Sequence, residues 1–190
     1  MAPEGGRALA LHADLEGQLS MEECQFLLTR SQGRKTIVEI GSYRGKSTVL
    51  LALGCADVQG KVTAIDPHMP APGCSIVFDE EDERVLRETI RKHGVADRVD
   101  HWVMTSVEAR PKWGETPIDM LWIDGDHSEE GVRTDLEHWA PLVRVGGIVA
   151  GHDYTHREGV KRAWDAYVGK DDRWTPSRVV RSIVWNERVK

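Results

Sequence analysis

With 190 residues the chain has room for one layered core rather than two. A 40% hydrophobic and 29% charged composition excludes a disordered chain, and no apolar run approaches the about 20 residues of a membrane helix. A net charge of −6 disfavours a nucleic-acid partner, and the lack of a signal-peptide pattern makes a cytoplasmic location the expectation.

Residues 1–18 are mixed and Gly-bearing, and read as a loose arm or a first helix. Ser20-Met21-Glu22-Glu23 is a capping box, in which the hydroxyl accepts from a backbone N–H three residues on and the Glu reaches back. The helix it starts runs to about Arg30 and stops at Ser31-Gln32-Gly33. Residues 1–32 are therefore expected to form a helical segment packed on a core built from 33–190.

Strand–loop–helix units follow. Thr36 to Ile40 is a β-branched strand ending at Gly41, and Lys46 to Gly54 its helix. Lys61 to Ile65 is a second strand, ending at Asp66-Pro67. After a Pro/Gly loop (Met69 to Gly73), Asp79 to His93 reads as a helix whose acidic start and basic end suit the helix dipole. Arg98 to Met104 alternates as a third strand. Met120 to Ile123 is a fourth, ending at Asp124; Ser128 to Leu142 is a helix with Val132, Leu136 and Trp139 on one face. Gly147 to Ala150 is a fifth strand, closed by His152-Asp153. Val160 to Tyr167 is helical, and Val179-Val180 with Ile183-Val184-Trp185 form a closing pair of strands.

This alternation predicts an α/β fold: a doubly wound, mainly parallel sheet with helices on both faces. Ligands of such sheets bind beyond the carboxyl ends of the strands. Glu39 to Gly45, Asp66, Thr105-Ser106, Asp124 to His127 and His152-Asp153 all fall on that edge. Three cysteines, Cys24, Cys55 and Cys74, stand far apart with no CxxC pair, against both a disulfide framework and a zinc knuckle.

The glycine loop narrows the ligand. Gly41 and Gly45 let the backbone turn tightly and approach a ligand closely. Only three residues separate them, so Gly45-Lys46-Ser47 is not the end of a P-loop, and GxGxxG is absent. An acid closing the second strand, Asp66, is placed to accept from both hydroxyls of a ribose.

Val38-Glu39-Ile40-Gly41-Ser42-Tyr43-Arg44-Gly45-Lys46-Ser47-Thr48 resembles motif I of class I S-adenosylmethionine-dependent methyltransferases, and Ala64-Ile65-Asp66-Pro67-His68 the acidic motif that follows it. The resemblance implies a Rossmann-like, seven-stranded sheet whose last strand is antiparallel, with S-adenosylmethionine as cofactor. It implies that the Gly41–Gly45 loop, with Ser42 and Tyr43, contacts the methionine part and Asp66 the ribose, and that Glu39, Ser47, Thr48 and Pro67 also bind the cofactor. Thr105, Ser106 and Val107 would line the adenine, and Asp124 would border the same cofactor.

Ile123-Asp124-Gly125-Asp126-His127-Ser128 and Gly151-His152-Asp153-Tyr154 carry the most specific chemistry. Asp124 and His152-Asp153 end neighbouring strands, close enough to share one metal ion, whereas Asp126 or Ser128 suits a helix N-cap. His68, His93, His101 and His138 read as structural. With the segment Glu16 to Glu23, these stretches resemble the branch related to macrocin and macrolide-sugar O-methyltransferases and cephalosporin hydroxylase. That resemblance implies metal ligands at Asp124, His152 and Asp153, and a general base at His127. The ion expected from the resemblance is Mg²⁺, with Mn²⁺ or another divalent ion open. His152 stands where metal-dependent members carry Glu and would weaken a Mg²⁺ site. The site then holds a softer ion, uses Asp124 and Asp153 only, or has lost the metal. The activity implied is O-methylation of a small hydroxylated acceptor, a sugar or natural-product moiety, whose pocket loops 67–78 and 154–159 would shape. Metal-independent N-methylation, an iron-dependent oxygenase activity, a non-catalytic cofactor-binding module and self-association stay open at this level.

Overall fold

Seven strands line up in the order β3-β2-β1-β4-β5-β7-β6 in the computed structural model, which describes residues 4–69 and 80–190. They are β1 (Thr36–Ile40), β2 (Lys61–Ile65), β3 (Val99–Trp102), β4 (Ile118–Ile123), β5 (Val143–Gly151), β6 (Arg178–Val180) and β7 (Ile183–Glu187). Pairing is parallel from β3 through β5, while β7 runs antiparallel to both β5 and β6. The mainly parallel sheet with its last strand reversed is therefore as expected.

The helices are α1 (Glu4–Asp14), α2 (Met21–Arg30), α3 (Lys46–Gly54), α4 (Glu80–Lys92), α5 (Ser106–Trp113), α6 (Glu129–Trp139) and α7 (Glu158–Tyr167). They cover both faces of the sheet, so its central strands are apolar on both sides. Ile37, Val62, Met120, Trp122, Ile148 and Trp185 pack with Phe26 and Leu27 of α2 and Leu50 of α3. Their neighbours Val38, Leu121, Ile123, Val149 and Val184 pack with Leu136 and Trp139 of α6 and Trp164 of α7. Trp122 and Trp139 are fully buried in these two layers, as their positions in the pattern suggest.

Local chemistry accounts for the boundaries. The capping box of α2 is complete: the Ser20 hydroxyl accepts from Glu23 N at 3.3 Å and Glu23 Oε2 accepts from Ser20 N at 2.8 Å. Helix α5, which the sequence pattern did not reveal, has a second such box between Thr105 and Glu108. It buries Ala109 alone and carries Pro111, so no apolar period announces it. The third strand is shorter than expected because Ala96–Arg98 forms a 3₁₀ turn before it and Met104 N turns back to Trp102 O after it. Helix α6 ends at Trp139, not Leu142, where Pro141 forces a 3₁₀ turn. Cys24 and Cys55 are buried free thiols. Cys74, most of the Pro/Gly loop and the expected helix start at Asp79 lie outside the described residues. Among the described residues no helix is long and apolar enough to cross a membrane.

Candidate functional site

The carboxyl edge of the sheet carries two clusters, one after β1 and β2, the other after β4 and β5. The first is built on Gly41, which sits at φ 83° and donates its N–H to Ile65 O of β2 at 2.9 Å. A Cβ there would overlap the Asp124 carbonyl and lie 2.7 Å from Gly125 N, so only glycine lets the ends of β1 and β4 come together. Gly45 at φ 87° then turns the chain into α3 with no side chain over its first N–H groups. Such open N–H groups at a helix start can face a ligand.

Asp66 shapes this loop from below. Its Oδ2 accepts from Ser42 N at 2.8 Å and Tyr43 N at 2.9 Å, and its Oδ1 from His68 N at 2.8 Å. Three bonds hold a buried carboxylate in place, and hold Tyr43 at φ 43°. Glu39 is fully buried; its Oε2 accepts from the Thr48 hydroxyl at 2.6 Å, while its Oε1 accepts no hydrogen bond. Burial, reinforced by the nearby Asp124 and Asp66 carboxylates, pushes the Glu39 carboxyl up to about 8, against the Ser47 and Thr48 hydroxyls. Lys46 points away from the loop: its Nζ donates to His12 O and Gly17 O at 3.3 and 3.2 Å. It therefore does not serve the loop as a P-loop lysine would.

Thr105 caps α5, Ser106 donates its hydroxyl to Asp135 Oδ1 at 2.5 Å, and Val107 is 51% exposed. Of this trio Thr105 and Ser106 are partly buried and Val107 is not. Pro67 follows Asp66 in the bend after β2, half-buried.

The second cluster gathers Asp124, His127, His152 and Asp153. His127 Nε2 lies 3.4 Å from Asp124 Oδ1 and 3.6 Å from Asp153 Oδ2. His152 Nδ1 lies 3.3 Å from Asp124 Oδ1 and 3.7 Å from Asp153 Oδ1, while its Nε2 lies 3.5 Å from Glu23 Oε1. Glu23 belongs to α2, and its Oε1 accepts from both the N–H and the hydroxyl of Ser182 at 3.0 and 2.6 Å. The capping residue of α2 thus doubles as a partner of the site. Sequence reading missed this, because capping already explained Glu23 and nothing local tied it to a residue 129 positions on.

The charges reinforce one another. Burial alone would lower His152, but Asp124, then Glu23 and Asp153, push it up to about 10. Burial would raise Asp124, yet the His152 and His127 beside it hold its carboxyl below the usual range. The hydrogen bond to Asp124 raises His127, against its own burial. Below the cluster, Gly151 gives Trp164 room that a Cβ 2.6 Å from the ring would take, and Gly159 lets the start of α7 press on the His127 and Ser128 backbone. Asp126 faces away: it accepts from Ser128 N and Ser128 Oγ at 2.8 and 3.0 Å and braces Ser128, the N-cap of α6.

The trio Asp124, His152 and Asp153 is thus brought together, but not as a metal cage. Among the described residues no three His, Cys, Asp or Glu side chains are arranged to hold an ion. Both ring nitrogens of His152 face carboxylates, and a protonated ring has no lone pair to give a metal. As placed, these residues do not fit a divalent ion. The glycine loop offers a ligand the start of α3, whose first N–H groups no side chain caps. His68 and His101 meet edge to face with Nε2 atoms 3.0 Å apart, and His93 Nε2 lies 3.3 Å from Asp14 Oδ2.

Residues 38–154 match the family described as methyltransferase domain. A catechol O-methyltransferase of Mycobacterium tuberculosis is 30% identical over 124 residues, 65% of this chain and 50% of that protein, so the chain spans about half the length of this relative. An O-methyltransferase of Bacillus cereus solved in complex with SAH superposes with a TM-score of 0.69 at 20% identity, covering 99% of this chain and 93% of that one. The O-methyltransferase TomG of Streptomyces achromogenes, solved with SAM, gives 0.68 at 18% identity over 100% and 91% of the two chains. These structural likenesses establish the fold.

Proposed function

As the chain belongs to the methyltransferase-domain family, we propose that it transfers a methyl group from S-adenosylmethionine to a hydroxyl of a small-molecule acceptor, with His127 as general base. The observation that carries this reading is the convergence on one sheet edge of a glycine loop pinned by the Asp66 carboxylate and an imidazole flanked by two carboxylates.

The loop from Glu39 to Thr48 and the carboxylate of Asp66 hold the cofactor side, in a shape their own hydrogen bonds set before any ligand arrives. Bound S-adenosylmethionine supplies an electrophilic methyl on a sulfonium. His127, partly exposed on the same sheet edge, takes the acceptor's hydroxyl proton at Nδ1, because the nitrogen turned to the carboxylates is Nε2. Asp124 and Asp153, 3.4 and 3.6 Å from Nε2, favour the imidazolium that results. Rigid placement of acceptor and base supplies much of the rate. The acceptor class that the resemblance favours is a hydroxylated sugar or natural-product moiety, and the name of the Mycobacterium tuberculosis relative adds a catechol. Metal assistance, also implied by the resemblance, would require His152 to give up one of its carboxylate partners.

His127→Ala is expected to lower methyl transfer from labelled S-adenosylmethionine to catechol and sugar hydroxyls by about 100-fold or more. Its calorimetric affinity for S-adenosylmethionine should stay within about threefold of the parent, since His127 binds the proton and not the cofactor. Unchanged turnover would remove His127 from the reaction.

A further inference from the structure

The glycine loop carries one arginine whose side-chain hydrogen bonds go to other parts of the chain. Arg44 stands between Tyr43 and Gly45, and its Nε donates to Asp82 Oδ1 of α4 at 2.7 Å. Its Nη1 donates to Glu16, in the link between α1 and α2. The same guanidinium lies over the Tyr43 ring, 5.2 Å from the centroid. Asp82 is 1% exposed, whereas the Glu16 side chain is largely in solvent. The two partners therefore differ in weight. An exposed ion pair contributes little, but a buried carboxylate that loses its counter-charge is strongly destabilised. Asp82 holds Arg44 firmly, and through it the loop.

The loop needs such a hold. Tyr43, at φ 43°, sits in the left-handed region that bulky side chains avoid, a conformation that persists only where its surroundings enforce it. A relaxed Tyr43 would carry its own N–H and that of Ser42 away from Asp66 Oδ2, which they meet at 2.9 and 2.8 Å. The loop is gripped from two sides: Asp66, just after β2, takes its backbone N–H groups, and Asp82 of α4 takes its guanidinium. Helix α4 also presses on the next residue, since a Cβ on Gly45 would lie 3.3 Å from Leu86 Cγ. Lys46 turns outward as well, to His12 O and Gly17 O. Both basic residues that flank Gly45 are thereby committed to neighbouring segments.

We propose that Arg44 is a positioning residue for the cofactor: its ion pair with buried Asp82 fixes the glycine loop, and so sets the affinity for S-adenosylmethionine without touching the ligand. The proposal rests on the reading of that loop as the S-adenosylmethionine site. The uncapped N–H groups at the start of α3 face a ligand in the conformation that Tyr43 and Gly45 impose. A binding conformation populated only in part lowers the apparent affinity by that fraction.

The test is calorimetric binding of S-adenosylhomocysteine to the full chain, at a temperature well below the melting of every variant. Arg44→Gln and Asp82→Asn should each weaken binding by about tenfold. The double variant should bind no worse than the worse of the two, because both changes remove the same pair. Arg44→Lys keeps a positive charge opposite Asp82 and should stay within about threefold of the parent. A role in packing alone would instead make the Gln and Lys variants alike. Thermal unfolding without ligand follows the fold separately, and Asp82→Asn, almost unchanged in shape, carries the test should Arg44→Gln fold poorly. If both single variants, folded, bind as the parent does, Arg44 merely braces α4 and the proposal fails. Additive losses in the double variant would overturn it too, since the residues would then act apart. If the parent itself binds no S-adenosylhomocysteine, the cofactor reading fails, and this proposal with it.

Discussion

The two halves of the sheet edge are built on different principles. After β1 and β2, groups are held by short, directed bonds: Asp66 takes three N–H groups at 2.8 to 2.9 Å, and Glu39 a hydroxyl at 2.6 Å. After β4 and β5, the imidazoles and carboxylates stand 3.3 to 3.7 Å apart, and each group faces more than one partner. Tight bonding of backbone groups fixes a shape, which suits holding a ligand that is the same at every turnover. Loose pairing of titratable groups lets charge and protons change hands at little structural cost. On the proposed function, the first half is the cofactor's seat and the second the place of reaction.

The largest expected effect breaks the first half at its closest point. Gly41→Ala adds a Cβ inside the Asp124 carbonyl at φ 83°, and should cost about 3–5 kcal/mol. For a chain of this size that is a fall in melting temperature of about 10 °C. Gly33 has a similar φ of 70° but open space around it, so Gly33→Ala should cost only the about 1–2 kcal/mol of a left-handed residue. Equal losses in the two variants, by thermal unfolding, would show that contact between β1 and β4 does not govern the loop.

A smaller effect sharpens the comparison at a buried oxygen of the first half. Glu39 is bonded through Oε2, but its Oε1 accepts no hydrogen bond from a described residue, and burial raises its pKa from 4.5 to about 8. A folded-state pKa above the unfolded one means that the native chain keeps its proton longer. The stability from this group is therefore complete below pH 4.5 and is lost as pH rises towards 8. The groups that face it are the Ser47 and Thr48 hydroxyls of α3 and the carboxylates of Asp66 and Asp124. Glu39→Gln keeps the bond from Thr48 and has no proton to lose. Relative to the parent it should gain about 1–3 kcal/mol between pH 5 and pH 8. Urea unfolding at the two pH values measures this, and parallel curves for parent and variant would mean that Glu39 ionises without penalty.

The same contrast explains what could be read in advance. The first half is carried by neighbours in sequence: Gly41 and Gly45 bracket a turn, and Asp66 follows an apolar strand, so a local pattern reveals both. The sheet was legible for the same reason, each strand being a short apolar run bounded by a turn. In the second half Asp124, His127, His152 and Asp153 were visible as polar residues ending strands. So was the nearness of Asp124 to His152-Asp153, which end neighbouring strands. The contacts of His127 with Asp153 and of Glu23 with His152 were not, since they depend on how β4, β5 and α2 meet. Glu23 meets His152 only because β7 turns back beside β5 and brings Ser182 under α2. Helix α5 escaped because it buries almost nothing, and its capping box was the only sign it had.

The smallest expected effect concerns the ion that the second half was expected to hold. Glu23, Asp124 and Asp153 bring negative charge to one spot, and His152 and His127 already answer it from 3.3 to 3.7 Å. A divalent cation entering there would meet a ring whose nitrogens both face carboxylates, and would bind only if His152 surrendered its proton. Prolonged EDTA treatment should therefore leave the melting temperature within about 1 °C, and added Mg²⁺ or Mn²⁺ should not raise it, because a ligand stabilises only a state it binds. His152→Glu turns this into a positive experiment. It puts a carboxylate beside Asp124 and Asp153, removes the competing cation, and leaves those acids unbalanced. That variant should melt lower than the parent in EDTA and recover on adding Mg²⁺, while the parent stays indifferent. A parent that Mg²⁺ stabilises, and that loses methyl transfer on chelation, would show instead that His152 moves aside for a metal, and that this half of the edge is as firmly organised as the other once the ion is bound.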